Sequence, residues 1–429
     1  EIDENLVADR MMLIKNNTAI GVTITKKVYA FTQQNHDNYF IFDYVLKNTG
    51  IVSADGDVYQ QALTGFIFYL GYRYAFAGES VLGYEQGWGI WNSAWGRNTV
   101  NDVIGTDPTA NDFLYRAHFA WYGPHSERPL PSTEDDWGCP NELDDGILAA
   151  AKFGGAMVLH ADKSAQDHSD DLYQPRTTHF IDTDGDPCYP PSLYTYNEQY
   201  MQIRYATMTL GHAAQTQAQQ IEASGLPANE WGPGIGGSQS TFGFGPYELA
   251  PGDSLHFVIA QGYSGISREK NREVGGNWLQ WHRGTGTPTL TMPDGATSTN
   301  HTEYKKAWVL TCKDSLMQTF AHMKANFDLG YDIPQPPPPP SSFTVTSGGD
   351  KILLTWANNA ASSLHFGGYV IYRSRGTVMS ENTVYEQIYE TNEDVTSFED
   401  KTAVRGFDYY YYIQSKDDGT QNDVHPGTP

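Results

Sequence analysis

Five consecutive prolines, Pro336 to Pro340, preceded by Pro334 and Gln335, set the plan of this chain. Proline locks φ and lacks a backbone donor, so neither a helix nor an interior strand crosses such a run. The segment reads as a polyproline II spacer, roughly 20 Å long at about 3 Å per residue. It divides a body at residues 1–333 from a C-terminal segment at 341–429, with 334–340 as the linker.

Charge narrows the partners. The 429 residues hold 27 Lys and Arg against 51 Asp and Glu, a formal net charge of −24. Phosphate backbones and anionic lipid call for clustered cations, so nucleic acid and membrane surfaces are poor partners. No apolar run reaches the length that spans a bilayer, and membrane insertion is not expected. Tyr alone supplies 28 residues and Gly 42, a balance in which strands carry Tyr and turns carry Gly. That composition reads as an extracellular or cell-surface β-protein. Glu1 is followed by acidic residues rather than a basic and then apolar leader, so the sequence reads as a processed or truncated product.

Along the body, Gly21–Thr25, Lys27–Phe31, Asn38–Leu46 and Leu63–Tyr74 read as strands. In the third, Phe40, Phe42, Tyr44 and Leu46 face one way and Tyr39, Ile41 and Val45 the other. A strand apolar on both faces belongs at the centre of a sandwich. Residues 83–240 show weak periodicity and read as long loops, with a short helix at Asp144–Phe153 and partial helix over Tyr200–Ile221. Two apolar runs flank Ala250-Pro251-Gly252-Asp253-Ser254, the chemistry of a hairpin turn. Ser267–Val274 reads as a helical turn. Asp314 reads as the N-cap of a helix over Ser315–Leu329, whose stripe is Leu316, Phe320, Met323 and Phe327 and whose stop is Gly330. The fold class is thus mainly β: a large elaborated antiparallel β-sandwich body with a few short helices, followed by a second, smaller sandwich.

After the prolines come six short β-rich runs: Phe343–Val345, Lys351–Trp356, Tyr369–Tyr372, Tyr385–Tyr389, Thr396–Glu399 and Tyr409–Ser415. Their spacing resembles a fibronectin type III domain, related to the immunoglobulin fold, with the last strand short or missing. Three further stretches, Phe31–Phe40, Leu249–Ser254 and Tyr331–Pro334 leading through the prolines, extend the likeness. Together they resemble large, uncharacterised secreted proteins of bacteria that use type IX secretion. The resemblance implies a secreted surface protein and a C-terminal sorting domain that is removed. It implies no catalytic residues.

Several motifs carry candidate chemistry. Asp182-Thr183-Asp184-Gly185-Asp186 alternates carboxylates around a glycine and is the expected Ca²⁺ site, through Asp182, Asp184 and Asp186; a metal-free turn is the alternative. The three cysteines, with no CxxC, allow a Cys139–Cys188 disulfide with Cys312 free, or no disulfide at all. Tyr84, Trp88, Trp91 and Trp95 offer a core for a long loop, a protein interface or a platform for sugar rings. Asn16 and Asn300 head N-glycosylation sequons, a short pattern that also arises by chance. G-x-S-x-G and H-E-x-x-H are both absent. The expectation is a non-enzymatic surface protein that self-assembles into a filament or layer, using the strand edge at Tyr409–Ser415. A polysaccharide- or polymer-binding module is the first alternative and a secreted hydrolase the second.

Overall fold

The computed structural model describes residues 6–33, 35–74, 76, 99–107, 109–110, 116–123, 137–141, 145–182, 197–228, 231, 238–286, 289–333, 337–378 and 383–420. The chain divides into two compact units, Glu1–Tyr331 and Asp332–Pro429. Among the described residues no helix is long and apolar enough to cross a membrane.

The first unit is a β-sandwich with helices on one outer face. Its larger sheet contains β1 (Arg10–Asn17), β2 (Val22–Ala30), β3 (Tyr39–Asn48), β5 (Thr99–Ile104), β6 (Arg116–Tyr122), β7 (Lys152–Ala161) and β10 (Ser254–Gly265). Their order is β1-β2-β3-β10-β7-β6-β5, antiparallel throughout. The smaller sheet joins β4 (Leu63–Tyr72), β9 (Ser238–Leu249) and β8 (Thr177–Asp182) in that order. Between the two sheets, Leu46, Phe68, Phe242, Phe244, Leu255, Phe257 and Ile259 form an apolar core. β3 lies inside the sheet, and each of its faces meets a layer over part of its length, with Phe40 left exposed. Leu46 enters the inter-sheet core, whereas Ile41 is fully buried on the other face and the hydroxyl of Tyr39 accepts a hydrogen bond from Asn326 at 2.8 Å.

Asn326 belongs to the last of four α-helices among the described residues, α1 (Glu198–Met208), α2 (Gln217–Ser224), α3 (Arg268–His282) and α4 (His301–Asp328). A small ribbon, β11 (Leu290–Thr291) with β12 (Thr297–Ser298), precedes α4. The helix lies close on the sheet because small strand residues let it. A Cβ at Gly155 would stand 2.7 Å from the ring of Phe320, and one at Gly262 2.6 Å from Cε of Met323.

Four sequence readings change here. α4 begins fourteen residues earlier than Ser315: Asn300 caps it, accepting from the Glu303 amide at 3.1 Å, while Asp314 is an exposed mid-helix residue. Tyr304, Val309 and Cys312 extend the buried stripe toward that cap. The apolar runs around Pro251 are not a hairpin, since β9 and β10 lie in different sheets. Asn48 holds that corner, donating to the carbonyls of Gln61 at 2.8 Å and Leu249 at 3.0 Å. No helix covers the described part of Asp144–Phe153, residues 145–153: Phe153 lies in β7, and Leu148 bridges Pro140. Residues 83–240 supply β5, β6, β7 and β8 rather than loops alone. β6 and β7 are buried on both faces and rich in Gly and Ala, so they lack the alternation that marks a strand.

The second unit has two three-stranded antiparallel sheets. One is β13 (Phe343–Ser347), β14 (Ile352–Trp356) and β17 (Ser397–Asp400); the other is β16 (Glu386–Thr391), β15 (Phe366–Arg375) and β18 (Tyr409–Asp417). Leu354, Trp356, Tyr369 and Ile371 fill the space between them. The proline segment is not a free spacer along its whole length. Ser415 donates to the Pro338 carbonyl at 2.9 Å and Asn359 to that of Pro339 at 3.0 Å, so its second half is held on the module.

Candidate functional site

The sequence-derived sites fall mostly outside the described residues. Tyr84, Trp88, Trp91, Trp95, Asp184, Asp186 and Cys188 all lie there. Asp182 ends β8. Cys139 is buried with left-handed backbone, φ 50°. Cys312 is a buried free thiol whose Sγ donates to the Ala151 carbonyl at 3.2 Å, and burial pushes it up to about 12. Asn16 is exposed on β1, and Asn300 serves as the helix cap.

The structure instead gathers a constellation around one buried carboxylate. On β10, His256, Val258, Ala260 and Gly262 share the face that α4 covers, by the two-residue period of a strand. Gly262 meets Met323, and beyond the helix end that face turns titratable. Asp43 on β3 and His160 on β7 both pair with Val258, so the three stand in one row.

His160 reaches that row through a bulge. Along β7, Ala156 and Val158 point into the inter-sheet core, and so does Ala161. The register steps from Val158 to His160 while β10 advances only from Ile259 to Val258, which leaves Leu159 as an extra residue. The extra residue reverses the parity and turns His160 to the helix-side face. Bulges re-aim side chains in this way.

Just past β7, Asp162 is fully buried. Its Oδ1 lies 2.9 Å from Nε2 of His160, and its Oδ2 lies 2.7 Å from Nδ1 of His168 and accepts from the His256 amide at 2.7 Å. Burial alone would push this carboxyl up, but these hydrogen bonds outweigh it and hold it below the usual carboxylate range. The same bond from Asp162 holds the exposed His168 imidazole above its ordinary value.

A second rank of groups supports the first. Nε2 of His256 lies 3.2 Å from Oδ1 of Asp43, and Nδ1 of His160 lies 3.8 Å from Oδ1 of Asp170. Asp170 receives Nη2 of Arg116 on both oxygens, at 3.0 and 2.8 Å, and the Ala161 amide at 2.9 Å. Arg116 is itself buried and also donates to the carbonyls of Asp171 and Gln174, so the 162–174 segment is pinned. Ligand-bearing atoms of His160, Asp162 and His256 all lie within 4.8 Å of one another, close enough to converge on one ion. Sequence reading missed this site. Its trace was present as His160-Ala161-Asp162 and His168-Ser169-Asp170, two H-x-D steps eight residues apart.

A different kind of site lies at the sheet edges. β5 is covered by α2, where Asn101 donates to Gln217 through both its amide and its side chain. β8 is bridged by His212, and α1 meets β4 through a hydrogen bond from Tyr205 to the Gly65 carbonyl at 2.9 Å. β1 has no such cover among the described residues. It is eight residues long and exposed nearly throughout, with Met11, Met12 and Leu13 open to solvent. β18 is likewise an edge of its sheet among the described residues.

No protein-family model matches the chain, and no curated protein matches it in sequence.

Proposed function

We propose that this chain is a non-catalytic structural protein of the cell exterior that polymerises through strand edges. The observation that carries the reading is β1, an eight-residue edge strand whose apolar run Met11–Ile14 is open on its outer side among the described residues. Soluble proteins blunt such edges with helices, charges or prolines, because open N–H and C=O groups template pairing with another chain. The edges of β4, β5 and β8 are met by helices or bridging residues, whereas β1 carries only Arg10 and Lys15 at the ends of its apolar run. Its partner in this reading is the β18 edge of a second copy. Two different edges make a heterologous contact, which need not close and so propagates a filament.

The same reading takes the second unit as a fibronectin type III module. Support comes from its strand order among the described residues, first-second-fifth against fourth-third-sixth, which matches the first six strands of such a sandwich. Secretion and surface display rest on composition and on the type IX resemblance.

Electron microscopy of the full chain is expected to show polymers. Met12→Lys with Leu13→Lys is expected to raise the critical concentration at least about tenfold, since edge lysines oppose pairing. Removal of residues 332–429 is expected to abolish polymers. A chain that stays monomeric, or polymers indifferent to both changes, defeats the reading. Ca²⁺ at Asp182, Asp184 and Asp186 belongs to it as well. Added Ca²⁺ is expected to raise Tm in the wild type and not in Asp184→Asn, and a Tm blind to Ca²⁺ removes that part alone.

A further inference from the structure

We propose that His160, Asp162 and His256 bind one divalent transition ion of the zinc class. Two imidazoles and a carboxylate are the donors such ions take, whereas Ca²⁺ and Mg²⁺ select oxygen ligands. The three side chains come from β7, from the residue just after it and from β10, and their ligand atoms all lie within 4.8 Å of one another. Donors bound at about 2.0–2.1 Å in a tetrahedral arrangement sit roughly 3.3 Å apart, so small rotamer adjustments bring these to bonding distance.

A buried aspartate satisfied only by histidine hydrogen bonds would explain the inner contacts. It would not explain the outer ones. Each of the two imidazoles has a second carboxylate behind it, Asp43 at 3.2 Å from Nε2 of His256 and Asp170 at 3.8 Å from Nδ1 of His160. A ligating histidine characteristically hands its other N–H to a carboxylate, and both carboxylates stand at ion-pair distance, where a small ring rotation would close that bond. In the ion-free chain Nε2 of His160 donates to Oδ1 of Asp162; an ion would displace that proton and take Nε2 of His160 and Nδ1 of His256 as its nitrogen ligands. Arg116 and the Ala161 amide hold Asp170 in place, so the outer rank is pre-set.

Three protein ligands leave a fourth position. His168 is 58% exposed and stands 2.7 Å from the other oxygen of Asp162. It is the protein group placed to take that position, with water as the other occupant. Bound there, the ion would tie β7 to β10 and to the turn that carries His168.

The test uses the full chain, stripped with EDTA and dialysed. Calorimetric titration with ZnCl₂ is expected to show about one site per chain and MgCl₂ none, with Tm rising by about 5 °C at roughly a hundredfold excess over Kd. Visible absorption of the Co²⁺-loaded chain is expected to report nitrogen and oxygen donors. His160→Gln and His256→Gln should each weaken Zn²⁺ at least about tenfold. Asp43→Asn, which touches no ion, should weaken it by a similar factor while the ion-free Tm and circular dichroism stay unchanged. A wild-type chain that takes up no Zn²⁺ overturns the proposal. So does Zn²⁺ affinity that survives both histidine substitutions.

Discussion

Between pH 8 and pH 5 the first unit is expected to lose about 3 kcal/mol of stability, through two histidines that the fold holds neutral. His118 is fully buried on β6, with the rings of Tyr72 and Phe242 4.6 and 4.4 Å away. Its Nδ1 is 3.4 Å from the Tyr74 hydroxyl, and its Nε2 has no partner among the described residues. Burial therefore pushes its pKa down to about 3. His36 falls to about 4, first through burial and then through the neighbouring His322. The unfolded chain protonates both near their ordinary 6.5, ahead of the folded one, so stability is full above that value and drains away as pH falls. At pH 5 the fully buried His118 contributes about 1.5 times 1.36 kcal/mol, or about 2 kcal/mol, and the more open His36 about half of that once solvent screening is discounted. His212, also lowered by burial, adds in the same direction.

His168 works the other way. Its raised pKa lends stability at low pH that is lost as pH rises through that value, but its exposure keeps the effect small. Urea titrations at pH 8, 6 and 5 measure the slope, and His118→Leu is expected to remove about two-thirds of it. An NMR titration placing the His118 midpoint near 6.5 would end this account.

His118 also shows why parts of the fold were legible and parts were not. β3 could be read because Tyr39–Leu46 is apolar on both faces, and each face meets a layer. The six C-terminal strands could be read because turns punctuate them at short intervals and each is short and half-buried. β6 and β7 could not. Arg116–Tyr122 is buried almost throughout, and Gly154-Gly155-Ala156 looks like loop chemistry until the helix that rests on it is known. The turn at Pro251 was read correctly as a turn and wrongly as a hairpin. Turn residues set a reversal, not the sheet to which the chain returns. The histidine site was hidden for a related reason. The bulge at Leu159 alters the facing of His160, and a bulge is decided by pairing with β10 rather than by the residues of β7. α4 was half legible: the stripe from Leu316 onward marked its covered face, but Asn300-His301-Thr302 resembled a sequon and Asp314 resembled a cap.

Two glycines just beyond the helical turn read at Ser267–Val274 carry opposite expectations. Gly275 and Gly276 are adjacent inside α3, where alanine is ordinarily better than glycine by about 1 kcal/mol. Gly276→Ala is expected to follow that rule and stabilise by about 0.5–1 kcal/mol. Its new Cβ would find Asp145 O at 3.7 Å, an ordinary contact. Gly275→Ala is expected to destabilise by about 2–4 kcal/mol despite the same gain in propensity. There the Cβ would stand 1.8 Å from Gly146 O and 2.6 Å from its carbonyl carbon, and neither is the tip of a flexible side chain. Gly146 has no room to retreat toward the helix, since its backbone is left-handed at φ 81° and its own Cβ position lies 2.5 Å from Gly275 O. The helix must move out instead. One turn earlier, Asn271 accepts from the Leu148 amide at 2.6 Å and donates to the Leu148 carbonyl at 2.9 Å, and both bonds are buried. Stretching two buried hydrogen bonds at about 1 kcal/mol each, with overpacking of about 1–3 kcal/mol around Val274, Trp278 and Leu279, outweighs the helix gain. Urea titration of the two single variants beside the wild type measures the difference, and shifts of the same sign at both positions would refute the close approach of α3 to Gly146.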